Sequence, residues 1–187
     1  MSVAARTLTY EDLCRAREDG NRYELIDGEL IVIAGPSPKH QWTSSELFLA
    51  FHESVTKPGL GLVFTAPLDV HLGGQQYVQP DLVVVLKARR AIIGPAMIEG
   101  APDLLVEIAS PSSRGRDRTQ KLALYARSGV REYWFVDAPS RAVLVHAEPV
   151  GKAYGRVERA EGVARSIIVP GLVVDLAALF ADVPSLS

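Results

Sequence analysis

Two carboxylates occupy places where carboxylates are costly. Asp81 opens the run DLVVVL, and Glu107 lies inside LLVEIA, residues 104–109; both runs read as central strands with two covered faces. An ionised carboxylate in such surroundings costs several kcal/mol unless a partner or a metal compensates it. Two of them on adjacent strands also repel each other unless a cation lies between them. A hard divalent ion fits: Mg²⁺ takes one or two protein carboxylates and completes its shell with water and substrate phosphate. A backbone carbonyl beside Glu107, such as that of Ile108, would add a ligand.

A cation from the chain itself is the other candidate partner. Lys121 follows Asp117 by one helical turn in GRDRTQKLALYARSG, with Leu124 and Tyr125 beside it. If that stripe leans toward the sheet, its ammonium reaches the carboxylates, where it would orient a water or stabilise charge developing on phosphorus. A solvated Asp117–Lys121 pair satisfies the same spacing, so spacing leaves both open. Glu24 in YELIDGEL is either a further acid at the site or a solvent-facing strand residue alternating with Tyr23 and Leu25. His40 opens a helical stripe through Ser44, Leu47 and Phe51, and either contacts phosphate or water or makes a local hydrogen bond. Arg114, Arg116 and Arg118 surround Gly115 directly after the Glu107 strand. A basic turn at a helix N-terminus suits a DNA phosphate, although short arginine runs are often only solvated. Trp134 and Tyr133 in REYWFVD read as core.

These residues need elements to hold them. Thr9 with Asp12 three residues on marks a short helix through Arg17. RYELIDGELIVIA is two strands joined at Asp27-Gly28, a tight-hairpin dipeptide. Leu47, Phe48, Phe51 and Val55 recur at helical spacing until Pro58-Gly59 stops them. GLVFTAPLDVHL and QYVQPDLVVVL flank Gly73-Gly74; with that tip, paired residue numbers sum to 147 and Asp81 faces Ala66. A loop around KARRAIIGPAMIEGAP leads to the Glu107 strand. The next helix ends at Gly129, a plausible cap, before the strand REYWFVD. From Lys39 onward the order is helix, strand, strand, strand, helix, strand. Shorter strands around AVLVHA, KAYGRVE and SIIVPGLVVDL follow, with a last helical turn near Leu176–Phe180.

The bulk properties exclude several classes. The 187 residues suit one domain over 1–187 with a real core, and no repeat, linker or low-complexity segment interrupts them. A net charge of −2 gives no global pull toward nucleic acid, so such binding must come from a local patch or a metal. One cysteine, Cys14, rules out internal disulfides and a multi-thiolate zinc site. The N-terminus has no apolar signal region and no run approaches bilayer length, which points to a cytoplasmic protein with no membrane partner.

Pro80-Asp81 followed by Glu107-Ile108-Ala109, on that element order, resembles the PD-(D/E)XK nuclease superfamily. More narrowly, YELIDGEL, QPDLVVV, LLVEIASPSS, the D-x-x-x-K with its tyrosine, and GVREYWFVD resemble the putative restriction endonuclease family, from about Tyr23 to Asp137. The resemblance implies an α/β, restriction-endonuclease-like core, an αβββαβ mixed sheet flanked by helices, with an N-terminal hairpin and extra C-terminal strands. It implies Mg²⁺ dependence, with Mn²⁺ as a substitute, and phosphodiester hydrolysis in DNA. Asp81 and Glu107 fall on its metal-binding acids. The chain departs from the motif two residues after the acid, where Ala109 replaces the usual lysine; Lys121 on the next helix matches a branch that supplies it from there. A nuclease fold that binds nucleic acid or a protein without cutting is an alternative, as is a sugar hydrolase using Asp81 and Glu107 as base and acid. A homodimer would suit two cuts in a duplex.

Overall fold

Thr9 and Asp12 exchange the two hydrogen bonds of a capping box, starting α1 (Tyr10–Ala16) where the sequence indicates. The computed structural model describes residues 7–181. β1 (Arg22–Ile26) and β2 (Glu29–Ile33) pair antiparallel across Asp27-Gly28, both at positive φ, as a two-residue hairpin turn requires. Ser37 caps α2 (Pro38–Phe51), which runs into a π-helical turn over His52–Thr56. Six strands follow: β3 (Gly61–Thr65), β4 (Val70–His71), β5 (Tyr77–Val78), β6 (Leu82–Leu86), β7 (Ile98–Glu99) and β8 (Leu104–Ile108). A helical segment then runs through α3 (Arg114–Arg116), a π-helical turn (Asp117–Lys121) and α4 (Leu122–Arg127). Gly129, at φ 83°, supplies the left-handed residue that ends it. The chain continues with β9 (Glu132–Asp137), β10 (Ala142–Val150), β11 (Ala153–Arg159), β12 (Val163–Arg165), β13 (Val173–Asp175) and α5 (Leu176–Leu179).

The central sheet has the order β11-β10-β9-β8-β6-β3 and is mixed, since β8 and β9 run parallel and its other neighbours antiparallel. Its core therefore follows the expected helix–strand–strand–strand–helix–strand order. The β3–β6 ladder keeps the register sum of 147, from Gly61 opposite Leu86 to Thr65 opposite Leu82, and the Ala66 amide bonds the Asp81 carbonyl at 3.1 Å.

Nearer the tip the hairpin departs from that register. Val70 pairs with Val78, because four residues separate it from Thr65 while three separate Val78 from Leu82. Pro67 and Pro80, which have no N–H to extend a ladder, fall in those gaps. Beyond them the chain leaves the central sheet and enters a second, of order β2-β1-β5-β4-β7. The N-terminal hairpin is thus one side of a second sheet and not an appendage.

Alternate residues of the central strands fill two cores. Leu82, Val84, Val106 and Trp134 pack with α2, α5 and C-terminal residues. Val83, Leu105, Tyr133 and Phe135 pack with α4 and with Val70, Val78 and Ile98 of the second sheet. Covering both faces explains why these strands read as continuous apolar runs. Alternation puts Glu107, like Leu105, on the α4 side. Trp134 and Tyr133 are fully buried, as expected of core. No helix among the described residues is long and apolar enough to cross a membrane.

His146 on β10 stacks against Tyr133, with ring centroids 5.6 Å apart. Burial, helped by the charge of Arg118, pushes its pKa down to about 4 from an ordinary 6.5. The ring is then neutral in the fold but takes up a proton on unfolding anywhere between those values. Its contribution to stability is full above the unfolded pKa and is lost as pH falls through that window, up to about 3 kcal/mol. His146→Phe keeps a ring against Tyr133 without the titration. Its Tm is expected to fall less than the parent's between about pH 7 and about pH 4.5. Parallel Tm–pH curves for the two proteins would remove this assignment.

Candidate active site

β6 and β8 pair so that Leu82 faces Val106 and Val83 faces Leu105, which brings Asp81, just before β6, to the level of Glu107 and Ile108 at the end of β8. Asp81 Oδ2 accepts the Ile108 amide at 2.7 Å. Lys121, at the end of its π-helical turn, brings Nζ to 2.9 Å from Glu107 Oε1 and 2.8 Å from Glu24 Oε1. Asp117 Oδ1 is 3.9 Å away. The Tyr125 hydroxyl donates to the same Glu107 oxygen. Glu24 Oε1 also accepts the Gln79 amide at 2.8 Å, two residues before Asp81. One carboxylate from the second sheet thus fixes both the lysine and the strand that carries Asp81. π-helical turns insert an extra residue and recur at functional sites.

The electrostatics follow from burial. Glu107 and Lys121 are each 5% exposed, and Glu24 and Asp117 each 1%. Burial pushes the Glu107 carboxyl well above its usual range; Lys121 opposes the shift, while Asp117, Asp81 and Glu24 add to it. Burial also raises Asp117. For Lys121 burial works against the charge, but Glu107, Glu24 and Asp117 outweigh it and hold the amine protonated. Lys121 is therefore a fixed ammonium: it donates hydrogen bonds and charge and cannot act as a general base. His40 Nε2 lies 3.3 Å from Asp81 Oδ2. Burial would lower its pKa, yet the bond to Asp81, that residue's charge and the Ile108 backbone raise it.

Lys121 faces three carboxylates, Glu24, Glu107 and Asp117, and Glu24 Oε2 is buried without a hydrogen-bond partner among the described residues. Asp81 and Glu107 line one cleft, and the hydrogen bonds they accept fall on one oxygen each. Among the described residues no group of three or more His, Cys, Asp or Glu side chains is arranged to hold a metal. The Ile108 backbone, like Asp81 Oδ2, already meets His40; the set on offer is two carboxylates, with water for the rest. That matches the habit of Mg²⁺ and not the closed nitrogen and sulfur cage of structural zinc.

The cleft has a volume of about 610 Å³, with Arg22, Lys39, His40 and Arg116 among its lining residues. The chain around this cleft matches a family of known sequences: the model described as Uma2, putative restriction endonuclease, covers residues 8–179. The chain belongs to the Uma2 family. An uncharacterised protein of Synechocystis sp. is 26% identical over 129 residues, 68% of this chain and 72% of that protein. A crystal structure described as a putative nuclease belonging to DUF820, from Anabaena variabilis, superposes with a TM-score of 0.76 at 22% identity. That match covers 92% of this chain and 97% of the other and carries the fold.

In this Uma2 chain Asp81, Glu107, Ile108, Lys121, Glu24 and His40 come together, whereas the three arginines part company. Arg116 lines the cleft. Arg114 pairs with Asp137 and Ser140. Arg118 lies over the Phe135 ring, 5.7 Å from its centroid. Residues two apart on a helix point to nearly opposite sides, so one turn cannot aim all three at one ligand. Arg22 stands in the cleft instead. It shares a strand face with Glu24 at i, i+2 spacing, a signal the sequence offered. Tyr125, one turn after Lys121, carried the same kind of signal. The Gln79 link carried none, because a backbone amide leaves no trace in residue identity.

Proposed function

We propose that this protein is a Mg²⁺-dependent endonuclease that hydrolyses phosphodiester bonds in DNA, with Mn²⁺ able to substitute. The observation that carries this reading is the Lys121 ammonium 2.9 Å from Glu107, in a cleft that Asp81 also lines. Family membership supports it. Asp81 and Glu107 would hold the ion. Such an ion supplies Lewis-acid polarisation of the phosphate and a bound water of lowered pKa.

The chain's own residues do the rest. Lys121, anchored by Glu24, presents a permanent charge to a water or to a phosphate oxygen gaining charge. Tyr125 holds the Glu107 carboxylate in orientation. His40, made more basic by Asp81, lines the cleft beside that carboxylate, where it would donate a hydrogen bond to phosphate or water. Arg116 holds a flanking phosphate. Arg116→Ala should therefore weaken DNA binding and reduce the slope of log K against log salt by about 0.7–0.9, while Arg118→Ala leaves the slope unchanged. Equal slopes for parent and Arg116→Ala would remove that contact.

The deciding experiment is plasmid nicking by purified protein with Mg²⁺, with Mn²⁺ and with EDTA. Nicking that requires either metal supports the reading. A protein that binds DNA but cuts with neither metal would be a binding module on a nuclease fold.

A further inference from the structure

We propose that the DNA segment this site accepts is a single, unpaired strand. The inference rests on the nuclease reading and adds its substrate class. Three observations carry it.

The first is depth. Glu107 and Lys121 are each 5% exposed and Glu24 1%, so a reacting phosphate must descend to the cleft floor to meet them. The cleft, about 610 Å³, falls in the range of pockets that enclose small ligands, roughly 300–1,000 Å³. An intact duplex, whose major groove alone is about 12 Å wide, is too bulky a body to follow its phosphate inside. An unpaired strand is not.

The second is the chemistry of the walls. Val32 on the edge strand β2 is 57% exposed and lines the cleft, as do Ile33, Ala34 and Pro36 after it. Pro111 and Pro139 line it too. Phosphates have no use for apolar walls, and paired bases keep their faces stacked on one another. Unpaired bases expose those faces, and grooves for single strands combine a charged backbone track with surfaces on which bases pack. Among the described lining residues His40 offers the one aromatic ring and no Phe, Tyr or Trp is present, so bases would pack mainly on valine and proline with little sequence preference.

The third is the scale of the charge. Beyond Lys121 at the floor and His40 beside Asp81, the cleft is lined by Arg22, Lys39 and Arg116, in a chain whose net charge is −2. Duplex binders that neutralise about six to ten phosphates need a broader basic surface. A set of cations this small suits a track of a few nucleotides.

The test compares a labelled oligonucleotide, its blunt duplex, and the duplex with an internal unpaired bubble, for cleavage in Mn²⁺ and for binding by anisotropy in Ca²⁺. The strand and the bubble should bind and be cut at least about tenfold better than the duplex, with cuts confined to the bubble. Duplex binding as tight as strand binding would overturn the proposal, whatever the cleavage result. Tight strand binding without cleavage of any substrate would leave this inference standing and sink the nuclease reading. Val32→Glu, an exposed change, should weaken strand binding about tenfold or more, while Val32→Ile should keep it. Unchanged strand affinity in Val32→Glu, with an unchanged melt, would also overturn it.

Discussion

Lys121→Ala is expected to reduce DNA cleavage by about 10²-fold or more and to destabilise the metal-free protein by about 3–5 kcal/mol. Both effects come from one geometry. Nζ touches Glu107 and Glu24 and lies near Asp117, and all four groups are buried. Without the ammonium, three carboxylates face one another in a weakly polar interior. For a chain of this size the loss corresponds to a fall in Tm of about 6–20 °C. Mn²⁺ should restore part of that Tm, because a bound cation replaces some of the missing charge, and calorimetric Mn²⁺ binding should survive. Ala109 is nearly buried, lines the cleft and shares a strand face with Glu107. Adding Ala109→Lys to Lys121→Ala therefore returns an ammonium to the same side of the carboxylates. The rescue should be partial, since a misplacement of about 1 Å can cost about 10²-fold. A Lys121→Ala protein that cuts at the parental rate would remove Lys121 from the chemistry.

The central sheet was legible because its strands are long, apolar and separated by strong breakers. Covering both faces turns a strand into a run such as LVVV or LLVEI, and the hairpin count from Gly73-Gly74 then placed Asp81 beside Ala66. The second sheet was not legible. β4, β5 and β7 are two residues each, too short for any periodicity, and β4 and β5 continue the direction of runs that belong to the central sheet. Only the prolines at 67 and 80 marked the change, and a proline alone does not say which sheet the chain joins next.

The candidate site divides in the same way. Asp81 and Glu107 stood out because a carboxylate in an apolar run is a local anomaly. Lys121 followed from helical spacing and from the gap at Ala109, and its π-helical turn, invisible in spacing, still delivers the ammonium to Glu107. Glu24 remained ambiguous because a strand's alternation tells which residues share a face, not what covers it. What covers it is Lys121, almost a hundred residues later in the chain. The arginines diverge for the opposite reason. Proximity in sequence suggested one patch, while the helix that contains them sends Arg114 to Asp137 and Arg118 to Phe135.

Glu107→Gln is expected to abolish calorimetric Mn²⁺ binding and to raise the Tm of the metal-free protein. Burial and the charges of Asp117, Asp81 and Glu24 all disfavour the Glu107 carboxylate, and Lys121 alone among the named charges favours it. An amide of the same shape still accepts from Lys121 and Tyr125 through its oxygen, so the hydrogen bonds persist while the repulsion falls. Each kcal/mol so relieved appears as about 2–4 °C. Asp81→Asn should likewise lose Mn²⁺ binding, since it removes the other proposed ligand. Its gain in Tm should be smaller, because the neutral side chain keeps the Ile108 amide but gives up the charge that favours a proton on His40. Unchanged Mn²⁺ affinity in both variants would remove the metal site. A fall in Tm for Glu107→Gln would carry a different message: the buried ammonium needs the charge of Glu107 more than the cluster suffers from it, and the cluster is then built for Lys121 before it is built for a metal.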